Sequence, residues 1–159
     1  MKKLFYCLIV IFSIVTLEGC SNTKFISFEK KPSNSYYCDE LSNLINSNSY
    51  NLKILDLNMY KQKEISNEEK KVLIDFFKHM DKKKNIITNT GNDISNEKIQ
   101  YKMFIEANSQ KYVINIYNDK YCAVHPWDGE FVEDYIDSDG IPRNYNLYGF
   151  CKYIFREYL

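Results

Sequence analysis

Histidine is scarce: His79 and His125 are the whole supply in 159 residues, which leaves little material for imidazole metal sites or acid–base chemistry. His79 stands beside the apolar stripe of a helical pattern, and His125 ends a strand pattern. A Cys–His nucleophile would have to join His125 to Cys122 from opposite faces of one strand, a poor geometry. Net charge is lacking too. The 21 basic and 21 acidic side chains cancel, and loss of Lys2, Lys3 and Glu18 would shift the balance by only a single charge, so no strong field draws nucleic acid. No G-x-S-x-G, Walker loop, dinucleotide fingerprint or H-E-x-x-H occurs, and no serine is flanked by a plausible base. An enzyme is not expected on these grounds, nor is a catalytic residue, cofactor or metal ligand set assigned. Beyond Cys20 there is no long apolar run.

What the chain does have is apolar and aromatic mass. Hydrophobic residues make up 45% of it, with 14 Tyr and 10 Phe, enough to bury a core and to exclude a disordered tail. The length suits one domain and is too short for two good cores.

The first twenty residues read as an address. Lys2 and Lys3 make a basic start, and Leu4 to Val15 form an apolar run broken only by Ser13. That is the layout of a secretory signal, and the run is shorter than the about 20 residues a bilayer span needs. The run leads to Leu17-Glu18-Gly19-Cys20. Leu17, Gly19 and Cys20 resemble the lipobox of bacterial lipoproteins, with Glu18 departing at a position where a small or hydroxyl residue is usual. The resemblance implies that residues 1–19 are a signal peptide and that the Cys20 thiol carries a diacylglyceryl group. The chain would then be a lipid-anchored protein on the outer face of the cell membrane. Residues 20–34, polar apart from Phe25, Ile26 and Phe28 and carrying Pro32, are expected to be a tether. The three apolar residues could instead add an edge strand. Residues 35–159 are then a single globular domain.

With Cys7 lost in the signal and Cys20 the lipid site, Cys38, Cys122 and Cys151 remain in an oxidation-permissive setting. Cys122 shares a strand face with Val124, while Tyr121, Ala123 and His125 share the other, so Cys122 is expected to be a buried thiol. Cys38 and Cys151, each in a helical pattern among aromatic neighbours, are the expected disulfide partners.

Leu41, Leu44 and Ile45 mark a short helix over Cys38 to Asn46 with Ser35 as its cap. Leu52 to Tyr60 alternates as a half-buried strand, with Leu55, Leu57 and Met59 as the inner set. Ser66-Asn-Glu-Glu69 fits a capping box opening a helix at Asn67, with Val72, Leu73, Phe76, Phe77 and Met80 as its stripe and Lys82 to Lys84 in its last turn. Thr88 to Asn96 has the composition of a loop. Ile99 to Glu106, Lys111 to Tyr117 and Tyr121 to His125 are strands separated by short reversals, hence antiparallel. Tyr145 to Tyr158 closes the chain as a helix with Leu147, Cys151, Ile154 and Tyr158 on one side. The expected architecture is α+β: an antiparallel sheet of about four strands with helices packed mainly on one face.

Two sites invite a functional reading. With Gly140 at position 6 of a calcium loop, Tyr135 and Asn146 occupy the places that need Asp and Glu, so an Asx turn is the better reading. The acidic group Asp128, Glu130, Glu133, Asp134, Asp137 and Asp139 could hold a cation in another geometry, pair with the basic run Lys61 to Lys84, or stay solvated. Trp127, Asp128, Tyr135, Tyr145 and Tyr148 form a candidate recognition patch, since aromatic rings give large contact area at low entropy cost. Core packing competes for most of those rings. Together with the lipobox, Ile65-Ser-Asn-Glu-Glu, Trp127-Asp-Gly and Tyr145-Asn-Leu-Tyr-Gly-Phe resemble the small uncharacterised lipoproteins of clostridia, which are catalogued as domains of unknown function. The reading that follows is a membrane-anchored binding or accessory module. Its alternatives are a cell-envelope-acting enzyme using the acidic 127–139 segment, and a structural or sporulation-related surface protein.

Overall fold

The structure is a computed structural model that describes residues 30–88, 94 and 96–156. The signal, Cys20, the apolar group at Phe25 to Phe28, most of the loop before Asn96, and Tyr158 lie outside the described residues. Among those described, no helix is long and apolar enough to cross a membrane.

Among the described residues, seven strands form one antiparallel sheet. They are β1 (Asn51–Asp56), β2 (Lys61–Glu64), β3 (Ile86–Ile87), β4 (Tyr101–Ala107), β5 (Gln110–Ile116), β6 (Tyr121–Pro126) and β7 (Asp134–Asp137), in the order β2-β1-β4-β5-β6-β7-β3. The middle of the sheet is the meander that the alternation predicts. Asn108 and Ser109, at φ 48° and 67°, make the two-residue reversal, whose twist matches the right-handed twist of the strands it joins. At the other end the Asn118 side chain accepts the Lys120 and Tyr121 amides, both at 2.9 Å.

The sheet is larger than the expected four strands. The β2 sequence Lys-Gln-Lys-Glu offers no apolar alternation, and its place comes from backbone pairing with β1. β3 is two residues long, and β7 opens on an aspartate. The face assignment of β1 is corrected as well. Leu52 and Ile54 are its fully buried residues, Leu55 looks to the other face, and the inner face ends on buried Asp56. That carboxylate accepts the Asn58 and Met59 amides at 2.7 and 2.9 Å, which turns the chain before Leu57 and Met59 can extend the strand.

The helices with described bounds cover one face. They are α1 (Tyr36–Ser47), α2 (Lys71–His79), the short α3 (Lys82–Asn85) and α4 (Leu147–Phe155), with a 3₁₀ turn at Arg143–Tyr145. Leu41, Leu73, Phe76, Leu147 and Phe155 share one core with Leu52, Met103, Ile114, Val124 and Ile136 of the sheet. The capping box is present: Ser66 N–H donates to Glu69 Oε2 at 3.2 Å and Glu69 N–H to Ser66 Oγ at 3.4 Å. Yet i→i+3 bonds tighten the first turn, so the regular helix starts at Lys71 rather than Asn67. Extended Met80 then splits off the lysines as a separate helix capped by Asp81.

A buried carboxylate joins the start of the domain to its far edge. Asp134, 1% exposed on β7, accepts the Cys38 amide in the first turn of α1 at 2.7 Å and forms an ion pair with Lys31. Lys31 Nζ also donates to the Val132 carbonyl at 2.7 Å. Among the described residues, packing therefore reaches back at least to Lys31, inside the stretch expected to be a tether. Asn85 makes a second long-range clasp, donating to the Asp137 and Asp139 carbonyls at 2.7 and 2.9 Å and accepting the Asp81 amide at 2.8 Å.

Cys38, Cys122 and Cys151 are all free and buried, so the expected Cys38–Cys151 bridge is not formed in this structure. Each thiol sits in the core; burial pushes Cys38 and Cys151 well up and Cys122 up to about 12, the Ser138 hydrogen bond only partly opposing it. The thiolate is the reactive species, so all three should be inert while folded. Iodoacetamide at pH 8 should label none of them in the native protein and all three after denaturation. Labelling of any one at the denatured rate would contradict this packing.

Candidate functional site

The five residues of the expected recognition patch do not come together. Tyr145 stacks on His79, ring centroids 4.5 Å apart, and Tyr148 meets Tyr101 edge-on at 5.7 Å. Tyr135 lies half-buried on the second face of the sheet, against the small cluster of Ile94, Tyr117 and Ala123. Only Trp127 and Asp128 share a place on the surface.

That place is a groove of about 360 Å³ at the end of the sheet where β4 turns into β5. Three segments build it: Glu40 from α1, Gln110, Lys111 and Tyr112 from the start of β5, and Trp127 and Asp128 just beyond β6. Antiparallel pairing of Tyr112 with Pro126 brings the second and third together, and Trp127 N–H donates to the Lys111 carbonyl at 2.8 Å. The buried Tyr112 hydroxyl donates to Glu40 Oε2 at 2.8 Å, which orients that carboxylate; burial first and the Glu40 bond second raise the tyrosine pKa.

Trp127 is 66% exposed, the largest side chain to be left so open. It is not loose. Its ring leans on Phe104 at a centroid distance of 6.2 Å, and its backbone is pinned to β5. Behind it the chain doubles back so closely that a Cβ on Gly129 would stand 2.8 Å from Pro126 Cγ and 3.0 Å from the Tyr37 hydroxyl. The Phe131 amide in turn donates to the Tyr37 hydroxyl at 2.8 Å. The loop carrying Trp127 is thus fixed from below by α1.

A wider cleft of about 760 Å³ opens at the opposite end of the sheet, beside the start of α4. Its polar groups largely serve each other. Asn146 accepts the Gly149 amide and donates to the Asp119 carbonyl, and Lys120 sits 3.6 Å from Asp137. Asp137 Oδ1 accepts the Asp139 amide at 2.9 Å, the Asx turn anticipated for this stretch. The acids of the 127–139 segment go to separate partners: Asp134 to Lys31, Asp137 to Lys120, Glu133 towards His125.

Sequence reasoning missed one arrangement, on the second face. His125 Nδ1 lies 2.9 Å from the Pro126 carbonyl and Nε2 lies 3.2 Å from Asn115 Nδ2. The Pro126 carbonyl can only accept, so Nδ1 is the donor of that bond. Glu133 Oε1 stands 3.8 Å from Nε2, and among the described residues the buried Asn115 Oδ1 and Glu133 Oε2 have no hydrogen-bond partner. The polar parity of Asn115 and His125 on neighbouring strands was the available signal. Glu40, Gln110 and Tyr112, by contrast, carry no mark in sequence that ties them to Trp127.

No curated protein is a match. A solved structure is similar over 80% of this chain and 99% of its own, with 33% sequence identity and a TM-score of 0.68: the "Putative Lipoprotein from Clostridium perfringens". A family model, the domain of unknown function DUF4883, matches residues 31–151. That match opens at Lys31 and closes at Cys151, enclosing every strand of the sheet and the groove at Trp127, and on it the chain belongs to the DUF4883 family.

Proposed function

We propose that this protein is a binding module held at the outer face of the cell membrane by a diacylglyceryl group on Cys20, with the Trp127 groove as its binding surface. The observation that carries the binding reading is Trp127, exposed yet rigidly supported. A ring left in water gains little for folding, whereas a partner that covers it gains a large apolar contact with little ordering cost. The anchor reading rests on Leu17, Gly19 and Cys20 and on the similarity to a protein described as a lipoprotein.

Anchoring is tested at the N-terminus. Two acyl chains give stable attachment where one gives only marginal binding, with K on the order of 10⁴ M⁻¹, so wild type should partition into the detergent phase. Cys20→Ser should leave it, because serine lacks the thiol that accepts the lipid, and the fold should be unchanged. Mass spectrometry of the wild-type N-terminus should find a lipidated Cys20. An intact Met1 peptide as the dominant species would overturn the anchor.

A further inference from the structure

We infer that the Trp127 groove takes the sugar rings of a cell-envelope glycan, a proposal that rests on the binding-module reading and specifies its ligand. The chemistry of the groove is selective. The face of an aromatic ring is electron-rich and attracts the weakly positive C–H groups that line one face of a pyranose. Trp127 presents such a face, backed by Phe104 so that a sugar need not order it on arrival. Around it stand groups that match hydroxyls. Glu40, Gln110 and Asp128 supply acceptors, and Gln110 and Lys111 supply donors.

Competing ligands fit less well. Glu40 and Asp128 repel a phosphate or an acidic polymer, and Lys111 is already drawn to Glu106 at 3.4 Å. A wholly apolar ligand would strand the Glu40 carboxylate and the Asp128 side chain without water. A groove of about 360 Å³ is sized for one or two sugar rings and lies within the range of small-ligand sites.

Trp127 is the chain's single tryptophan, so intrinsic emission reports the groove directly. Full-length protein in detergent micelles is titrated with two probes: solubilised peptidoglycan strands stripped of attached polymers, and neutral wall polysaccharide released from the same envelopes. The expected result is a saturable change in emission with at least one probe, and co-sedimentation of the protein with insoluble envelope. Response to the first probe alone assigns the peptidoglycan strand; response to the second alone assigns the wall polymer. Trp127→Ala should weaken co-sedimentation by about tenfold, the loss of a central aromatic contact worth about 1.4 kcal/mol, and Trp127→Phe should restore part of it. Unchanged far-ultraviolet circular dichroism keeps unfolding out of the comparison. Co-sedimentation that survives Trp127→Ala would overturn the site. Absence of response to both probes would overturn the glycan assignment; if a photo-crosslinker at Asp128 then captured a protein, the binding-module reading would stand, and if it captured nothing, that reading would fall as well.

Discussion

Asp134→Ala should cost about 3–5 kcal/mol of folding stability, the range for removing one partner of a buried ion pair. The carboxylate is 1% exposed and holds two elements that are remote in sequence: the first turn of α1 through the Cys38 amide, and the chain entry through Lys31. Alanine leaves a helix amide unsatisfied and a lysine tucked under the protein with no counter-charge. A negative group at a helix N-terminus also complements the helix dipole, which alanine cannot. Lys31→Ala should be the milder change, since the Cys38 amide still faces Asp134. The double variant should cost less than the sum of the two, because the residues act through one another. Urea unfolding of the four proteins measures this, with the exposed Glu68→Ala expected within about 0.5 kcal/mol of wild type as the control. An Asp134→Ala midpoint equal to wild type would show that the clasp contributes nothing.

Phe155→Ala should be of similar size, about 3–5 kcal/mol, from lost burial and the cavity left behind. Phe155 is fully buried at the end of α4, its ring stacked over Tyr101 at 6.2 Å and the Lys63 ammonium 6.0 Å from its centre. It therefore ties the last helix to β4 and to the β2 edge at once. Phe155→Leu keeps much of the volume and should recover more than half of the loss. Thermal denaturation would separate the two variants, and equal melting temperatures for Ala and Leu would refute the cavity argument.

Much of the fold was legible wherever burial and local geometry agree. Cys122 and Val124 face the main core and Tyr121 and Ala123 the second cluster, as strand parity requires. The capping box and the Asn108-Ser109 reversal formed because each is satisfied by its own neighbours. Legibility failed where partners are distant. Lys61 to Glu64 is a strand because β1 offers it a backbone ladder, which no side-chain pattern announces. Asp56 ended β1 early by folding its carboxylate back on the chain, so that Leu52 and Ile54 rather than Leu57 and Met59 line its inner face. The same division governs the site. Trp127 and Asp128 are adjacent in sequence and remained together, whereas Tyr135, Tyr145 and Tyr148 were near in sequence only, and three different elements carry them apart. Glu40 and Tyr112 meet across 72 positions of chain, a contact that packing alone determines.

The sheet's two borders explain why such unpromising strands were recruited to it. An open sheet ends in unpaired amides and carbonyls, which template the addition of a strand from another molecule. Among the described residues one border is β2, a row of lysines, glutamine and glutamate, and the other is β3, two residues long. The charged row makes an incoming strand meet ammonium and carboxylate groups that it would have to dehydrate, and the short one offers too little ladder to hold a guest. Many copies crowded side by side should therefore stay separate molecules rather than zip into a continuous sheet.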